Sequence, residues 1–111
     1  MTRQITFLVS VLILREGDSW VAQGLECDIA AQGKSIAAAK TAFERTFVGQ
    51  IVVDISHNKQ PLEGVSRAPR SYWDKFDQAE RLTDRKPFYL PEGIPPSYMI
   101  AAGAEDLRIF A

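Results

Sequence analysis

Residues 19–55, SWVAQGLECDIAAQGKSIAAAKTAFERTFVGQIVVDI, decide the fold, because within them the apolar spacing changes from every second residue to every third or fourth. In the first part Trp20, Ala22 and Gly24 share one face of an extended chain and Val21, Gln23 and Leu25 the other. The chain turns near Cys27-Asp28, and Ile29 to Gln32 is short enough to be a third strand. Gly33-Lys34 leads out of the sheet. Ser35 then suits an N-cap, since its hydroxyl accepts from an otherwise unpaired amide of the first helical turn. Ile36, Ala39, Phe43, Phe47, Ile51 and Ile55 recur at steps of three or four, with Val48 and Val52 widening the stripe, so the spacing predicts a helix with one face on the sheet. Lys40, Thr41, Glu44 and Arg45 form its wet side. Gly49 interrupts the pattern at a cost of about 1 kcal/mol relative to alanine, which marks either a close backbone approach or a break. The VVDI that follows it suits a strand as well as a helix.

Upstream, QITFLVSVLIL at 4–14 is rich in β-branched and aromatic residues and reads as a first strand with both faces largely covered. Glu16-Gly17-Asp18 supplies the glycine and turn-forming aspartate of a short hairpin loop into the second strand. Downstream, His57-Asn58-Lys59-Gln60-Pro61 ends the long helix, because asparagine tolerates the left-handed cap conformation and proline cannot continue a helix. Residues 58–70 read as a linker. Ser71 with Asp74 three positions on opens a short amphipathic helix over 71–83, carrying Tyr72 or Trp73, Phe76, Ala79 and Leu82 on one face. KPFYLPEGIPP is too proline-rich for a helix or a central strand and reads as an extended arm. Tyr98–Ala101 and Leu107–Phe110 flank AGAED and suggest a closing hairpin within 97–110. The expected class is therefore α+β: a three-stranded antiparallel sheet packed by one long helix (β-β-β-α, 1–57). An extension (58–111) follows, comprising a short helix and an extended arm or hairpin, either in the same domain or reaching to a second chain.

The 111 residues fit one domain, and the composition, 46% apolar and 24% charged, is that of a globular chain. Domains of this size leave much surface wet, burying somewhat under about 70% of what unfolding exposes, so a homodimer or higher assembly is expected. Thirteen basic and fourteen acidic side chains give a net charge of −1, with no basic tail or acidic arm, and hence no field suited to capturing nucleic acid. The single cysteine, Cys27, excludes an intramolecular disulfide and fits a reducing cytoplasm. The apolar run Ile5–Leu14 has the length of a signal-peptide core, but Arg15-Glu16-Gly17-Asp18 lacks the small-residue cleavage pattern and the run is too short to span a bilayer, so a buried strand is expected and no membrane.

Candidate chemistry is sparse. Glu16 and Asp18 fall in the first turn and Glu26 and Asp28 in the second, separated by a strand of about seven residues at about 3.3 Å each, too far to share a metal ion. Cys27 and His57 lack a third orienting group, and one histidine with one cysteine does not make a zinc site. No catalytic residue, metal or cofactor is therefore expected. Arg67, Arg70, Lys75, Arg81, Arg85 and Lys86 lie among Tyr72, Trp73, Phe76 and Tyr89, a mixture that grips single-stranded RNA in other proteins, but Asp74, Asp77, Glu80 and Asp84 interrupt it. A solvated helix face accounts for that alternation. Tyr72, Trp73 and Phe76 are types enriched at protein interfaces, and they suit docking on a partner as well as packing on the chain's own sheet.

The strand, strand, strand, helix order and the stretch WVAQGLECDIAAQGKSIAAA resemble the HicB-like antitoxin family, through Trp20, Val21, Ala22, Leu25, Glu26, Asp28, Ile29, Gly33, Ser35 and Ala39. The resemblance covers roughly residues 5–50. It implies a partial ribonuclease-H-like fold and a non-catalytic protein-binding module, either one that neutralises a small basic RNA-cleaving toxin or an orphan member of that family. The acidic turn, Glu26 and Asp28, would then meet the basic surface. Such domains commonly precede a helix-turn-helix or ribbon-helix-helix segment that binds operator DNA. Residues 58–111 lack that pattern, so DNA binding is not expected. A metal-dependent nuclease of the same fold and a self-assembling structural or small-ligand-binding protein are the alternatives.

Overall fold

The computed structural model describes residues 3–81, 86–87 and 98–110. β1 (Arg3–Glu16), β2 (Ser19–Gly24) and β3 (Ala30–Gly33) form an antiparallel meander, followed by the long helix α1 (Ile36–Ser56), the short helix α2 (Arg70–Gln78), β4 (Glu80–Arg81), β5 (Lys86–Pro87) and β6 (Tyr98–Phe110). The expected α+β class and β-β-β-α order hold. The hairpin between β1 and β2 closes on Gly17-Asp18, and Gly17 takes the positive φ of 57° that a two-residue turn needs at its first central position.

α1 begins where its cap requires. The Ser35 hydroxyl accepts from Ala38 N–H at 3.0 Å. The helix then runs unbroken through Gly49, so VVDI is helical; no atom would meet a Cβ at Gly49, and neither a break nor a close approach accounts for that glycine. The close approach lies instead at Gly33, where a Cβ would stand 2.4 Å from Ala39 N, because the end of β3 and the first turns of α1 touch backbone to backbone. Asn58 adopts the left-handed conformation, φ 59°, just past the helix end.

Register assigns the two faces of the sheet. Val9, Val11 and Ile13 of β1 and Ala22 of β2 point to α1, where Ala39, Phe43, Phe47, Ile51 and Ile55 complete the larger core; the Phe43 and Phe47 rings lie 5.8 Å apart and nearly parallel. Leu12 of β1 and Leu25, just after β2, point to the opposite face, where Ala68 and Phe76 bury them. The 58–70 segment is thus more than a linker: Leu62 and Val65 pack against the first core and Ala68 belongs to the second.

The sheet is larger than the sequence indicates. Its strand order is β3-β2-β1-β6-β4, with β5 also on β6. The expected hairpin within 97–110 is replaced by one strand, Tyr98–Phe110, running parallel to β1 with a register shift between Thr6 and Leu8. AGAED does not turn, because the free edge of β1 offers a backbone partner along its length. The second helix is also shorter than 71–83. It starts after Pro69 without a side-chain cap and stops at Ala79, which is extended (φ −84°, ψ 153°), because Glu80 and Arg81 pair with Ile109 and Arg108 of β6. The proline-rich arm falls mostly at 88–97, outside the described residues, apart from Lys86 and Pro87 paired to β6.

Candidate functional site

The β2–β3 turn is clamped from three sides. Leu25 N–H donates to Ser10 O at 3.0 Å, Ala68 N–H donates to Leu25 O at 2.9 Å, and Asp28 N–H donates to Ser66 O at 2.6 Å. Where β2 stops, the Glu26 side chain continues the ladder: its carboxylate accepts from Ser10 N–H at 2.7 Å and from the Ser10 hydroxyl at 2.8 Å. Asp28 Oδ1 accepts from Gln23 Nε2 at 2.8 Å, and the same nitrogen donates to Gly24 O at 2.9 Å, which satisfies a glutamine that is only 4% exposed. Both carboxylates stay exposed. Gly24 is required here because a Cβ would lie 2.8 Å from Cys27 O.

Cys27 points inward between these acids. Burial first, and the charges of Glu26 and Asp28 second, push its thiol up to about 12. A thiol held protonated in this way is a poor nucleophile. His57 caps the far end of α1 with Nδ1 2.8 Å from Val53 O, and no hydrogen bond joins it to Cys27.

The α2 aromatics divide. Phe76, 6% exposed, fills the second core against Leu12 and Leu25, with the Arg108 guanidinium 4.2 Å from its ring centre, so it is committed to the chain's own sheet. Tyr72 and Trp73 pack on the rim of that cluster and stay half-exposed. Arg67 stacks 4.4 Å over Trp73 and Lys75 Nζ sits 5.8 Å from Tyr72, so each ring carries a cation.

Strand parity brings these groups to one side. Ser10, which holds Glu26, and Gln23, which holds Asp28, alternate onto the same face as Leu12, and α2 lies on that face. Glu26 and Asp28 therefore share a sheet face with Tyr72 and Trp73, more than 40 residues away in sequence. An open depression of about 310 Å³ between Glu16, Tyr72, Val21, Gln23, Ala30 and Gln32 lies on the same face. Asp18 sits in the tight turn of the β1–β2 hairpin, whereas Glu16 lines the depression beside Tyr72, and among the described residues no group of three or more histidine, cysteine or acidic side chains is placed to hold a metal ion.

Sequence reasoning missed Ser10 and Gln23, and it set Arg67 among the aromatics without its seat over Trp73. Only Gln23, a polar residue on the strand face shared with Val21 and Leu25, gave any signal. It also missed Asp54, 7% exposed on α1, whose Oδ1 accepts from Gln50 at 2.9 Å and whose Oδ2 accepts from Leu62 N–H at 2.7 Å, holding Leu62 at a φ of 66°. Among the described residues no helix is long and apolar enough to cross a membrane. Comparison with family models, with curated proteins and with solved structures finds no significant match to this chain.

Proposed function

We propose that this chain is a non-catalytic protein-binding module of the HicB-like antitoxin kind, cytoplasmic, presenting the α2 face of its sheet to a small basic, RNA-cleaving partner. The observation that supports this reading is the convergence of two exposed carboxylates, Glu26 and Asp28, with the half-exposed rings of Tyr72 and Trp73 on one face. Acid groups steer a basic partner, and half-exposed aromatic side chains supply the contact area that anchors it. The turn is rigid before any partner arrives, since Ser10, Gln23 and Ser66 already hold it, and so little ordering opposes binding. Phe76 belongs to the core and supports the face from beneath.

The test is affinity capture from the source cells at low and high salt, with the wild-type chain beside Trp73→Ser. A small basic protein retained at low salt, weakened by the substitution and inhibited by the wild-type chain in an RNA-cleavage assay, is the expected result. Recovery of no such protein at either ionic strength defeats the proposal.

A further inference from the structure

The outer edge of β3 carries no strand among the described residues, and it lacks the devices that usually protect an edge. Its sequence is Ala30-Ala31-Gln32-Gly33, without lysine, proline or bulge. The hydrogen-bond phase of the sheet shows which groups are open. Gly24 N–H donates to Ile29 O, so Ile29, Ala31 and Gly33 turn their backbone groups toward β2, and Ala30 and Gln32 turn theirs outward.

From this edge we infer that β3 pairs antiparallel with β3 of a second copy, across a two-fold axis at Ala31, to make one continuous sheet. In that register Ala30 faces Gln32 of the second copy and Gln32 faces its Ala30, and each pair exchanges both outward hydrogen bonds. Ala31 meets its own symmetry mate as the close, non-hydrogen-bonded pair, where a methyl group fits. The charges agree with the same register. Asp28 and Lys34 flank β3, both exposed, and the axis sets Asp28 of each chain beside Lys34 of the other. A shift of two residues loses one of the backbone pairs and breaks this charge match. Asp28 N–H is already bonded to Ser66 O, so the ladder ends at Ala30 and the Asp28 contact is made by its side chain alone. The inference shares Asp28 with the α2-face proposal, since that carboxylate accepts from Gln23 through Oδ1 and would meet Lys34 of the second copy, but its test reads the assembly of the purified chain and needs no other protein.

The experiment is analytical ultracentrifugation of the full chain, wild type beside Gln32→Pro and Lys34→Asp, with circular dichroism to confirm folding. A proline at an outward-facing edge position removes the N–H that the second copy needs and leaves the β2–β3 ladder intact. Lys34→Asp sets two acids together at each end of the pairing and should weaken the dimer by about tenfold or more. Mild oxidation of Ala31→Cys should give a covalent dimer, while Ala37→Cys, on α1 and away from the axis, should not. A dimeric wild type dissociated by Lys34→Asp, with the Ala31→Cys cross-link, supports the inference whether or not Gln32→Pro folds. A monomeric wild type at high micromolar concentration, or a dimer unchanged by Lys34→Asp, overturns it.

Discussion

Two residues inside the chain carry consequences that their exposed neighbours do not. Cys27 has a thiol raised from 9.0 to about 12, chiefly by burial. Because the folded state holds this proton more tightly than the unfolded state, the associated stability is complete below pH 9 and is lost as pH rises from 9 toward 12. Urea titrations at neutral pH and near pH 10 should therefore show a larger fall in stability for the wild type than for Cys27→Ala; parallel falls would refute the assignment. Asp54 is the second case. Its carboxylate satisfies Leu62 N–H, and Leu62 sits in the left-handed region, which a leucine adopts only when its surroundings impose it. Asp54→Ala should cost about 1–3 kcal/mol in urea unfolding, because it leaves that N–H without its acceptor and frees the loop. A loss below about 0.5 kcal/mol would mean that the loop is held by Leu62 and Val65 packing instead. Nothing local signals this role, since an aspartate in a helical run reads as wet surface until the chain that folds over it is known.

At the level of elements, legibility followed locality. α1 could be read from its Ser35 cap to Gly49, because its cap and its apolar stripe are encoded within the helix, while VVDI beyond Gly49 suited a strand equally well. That ambiguity began at Gly49, whose surroundings now give a direct expectation: with open space around it, Gly49→Ala should raise stability by about 1 kcal/mol, visible as a higher urea midpoint at unchanged slope. Gly33→Ala should do the opposite, since its Cβ would meet the backbone of Ala38 and Ala39 and force β3 away from α1. Any gain in midpoint at Gly33 would show that the two elements are less tightly apposed than their geometry indicates. α2 was placed within one residue at its start, though Pro69 stands at the N-cap and Ser71 does not cap it, and it was overextended at its end. Ala79 and Leu82 continue the amphipathic spacing, but the backbone at Glu80 finds β6, and a tertiary ladder outweighs a weak local preference. The acidic turn was legible as a turn. That its carboxylates hold Ser10 and Gln23 was not, because each bond joins residues whose pairing depends on the sheet register.

At the scale of the whole molecule, what escaped the sequence was the return of the C-terminal strand. A parallel neighbour of β1 drawn from nearly the other end of the chain leaves no local trace, and small residues around Gly103 look more like a turn than the middle of a strand. Yet β1 demands such a neighbour. VSVLIL at 9–14 pairs on one side with β2 only, and without β6 its other edge would present a long apolar template of unpaired amides and carbonyls. A chain ending at Gln78 keeps both helices and the β1–β2–β3 meander but removes that neighbour. It should unfold at a lower urea midpoint and grow in light scattering on standing, because the bare edge recruits other copies. Supplying YMIAAGAEDLRIF as a free peptide should reverse the aggregation by adding the missing strand in trans. A shortened chain that remains monodisperse with an unchanged midpoint would show that β6 contributes nothing to the stability of β1 and that the meander, its helix and the 58–70 segment suffice as the folding unit.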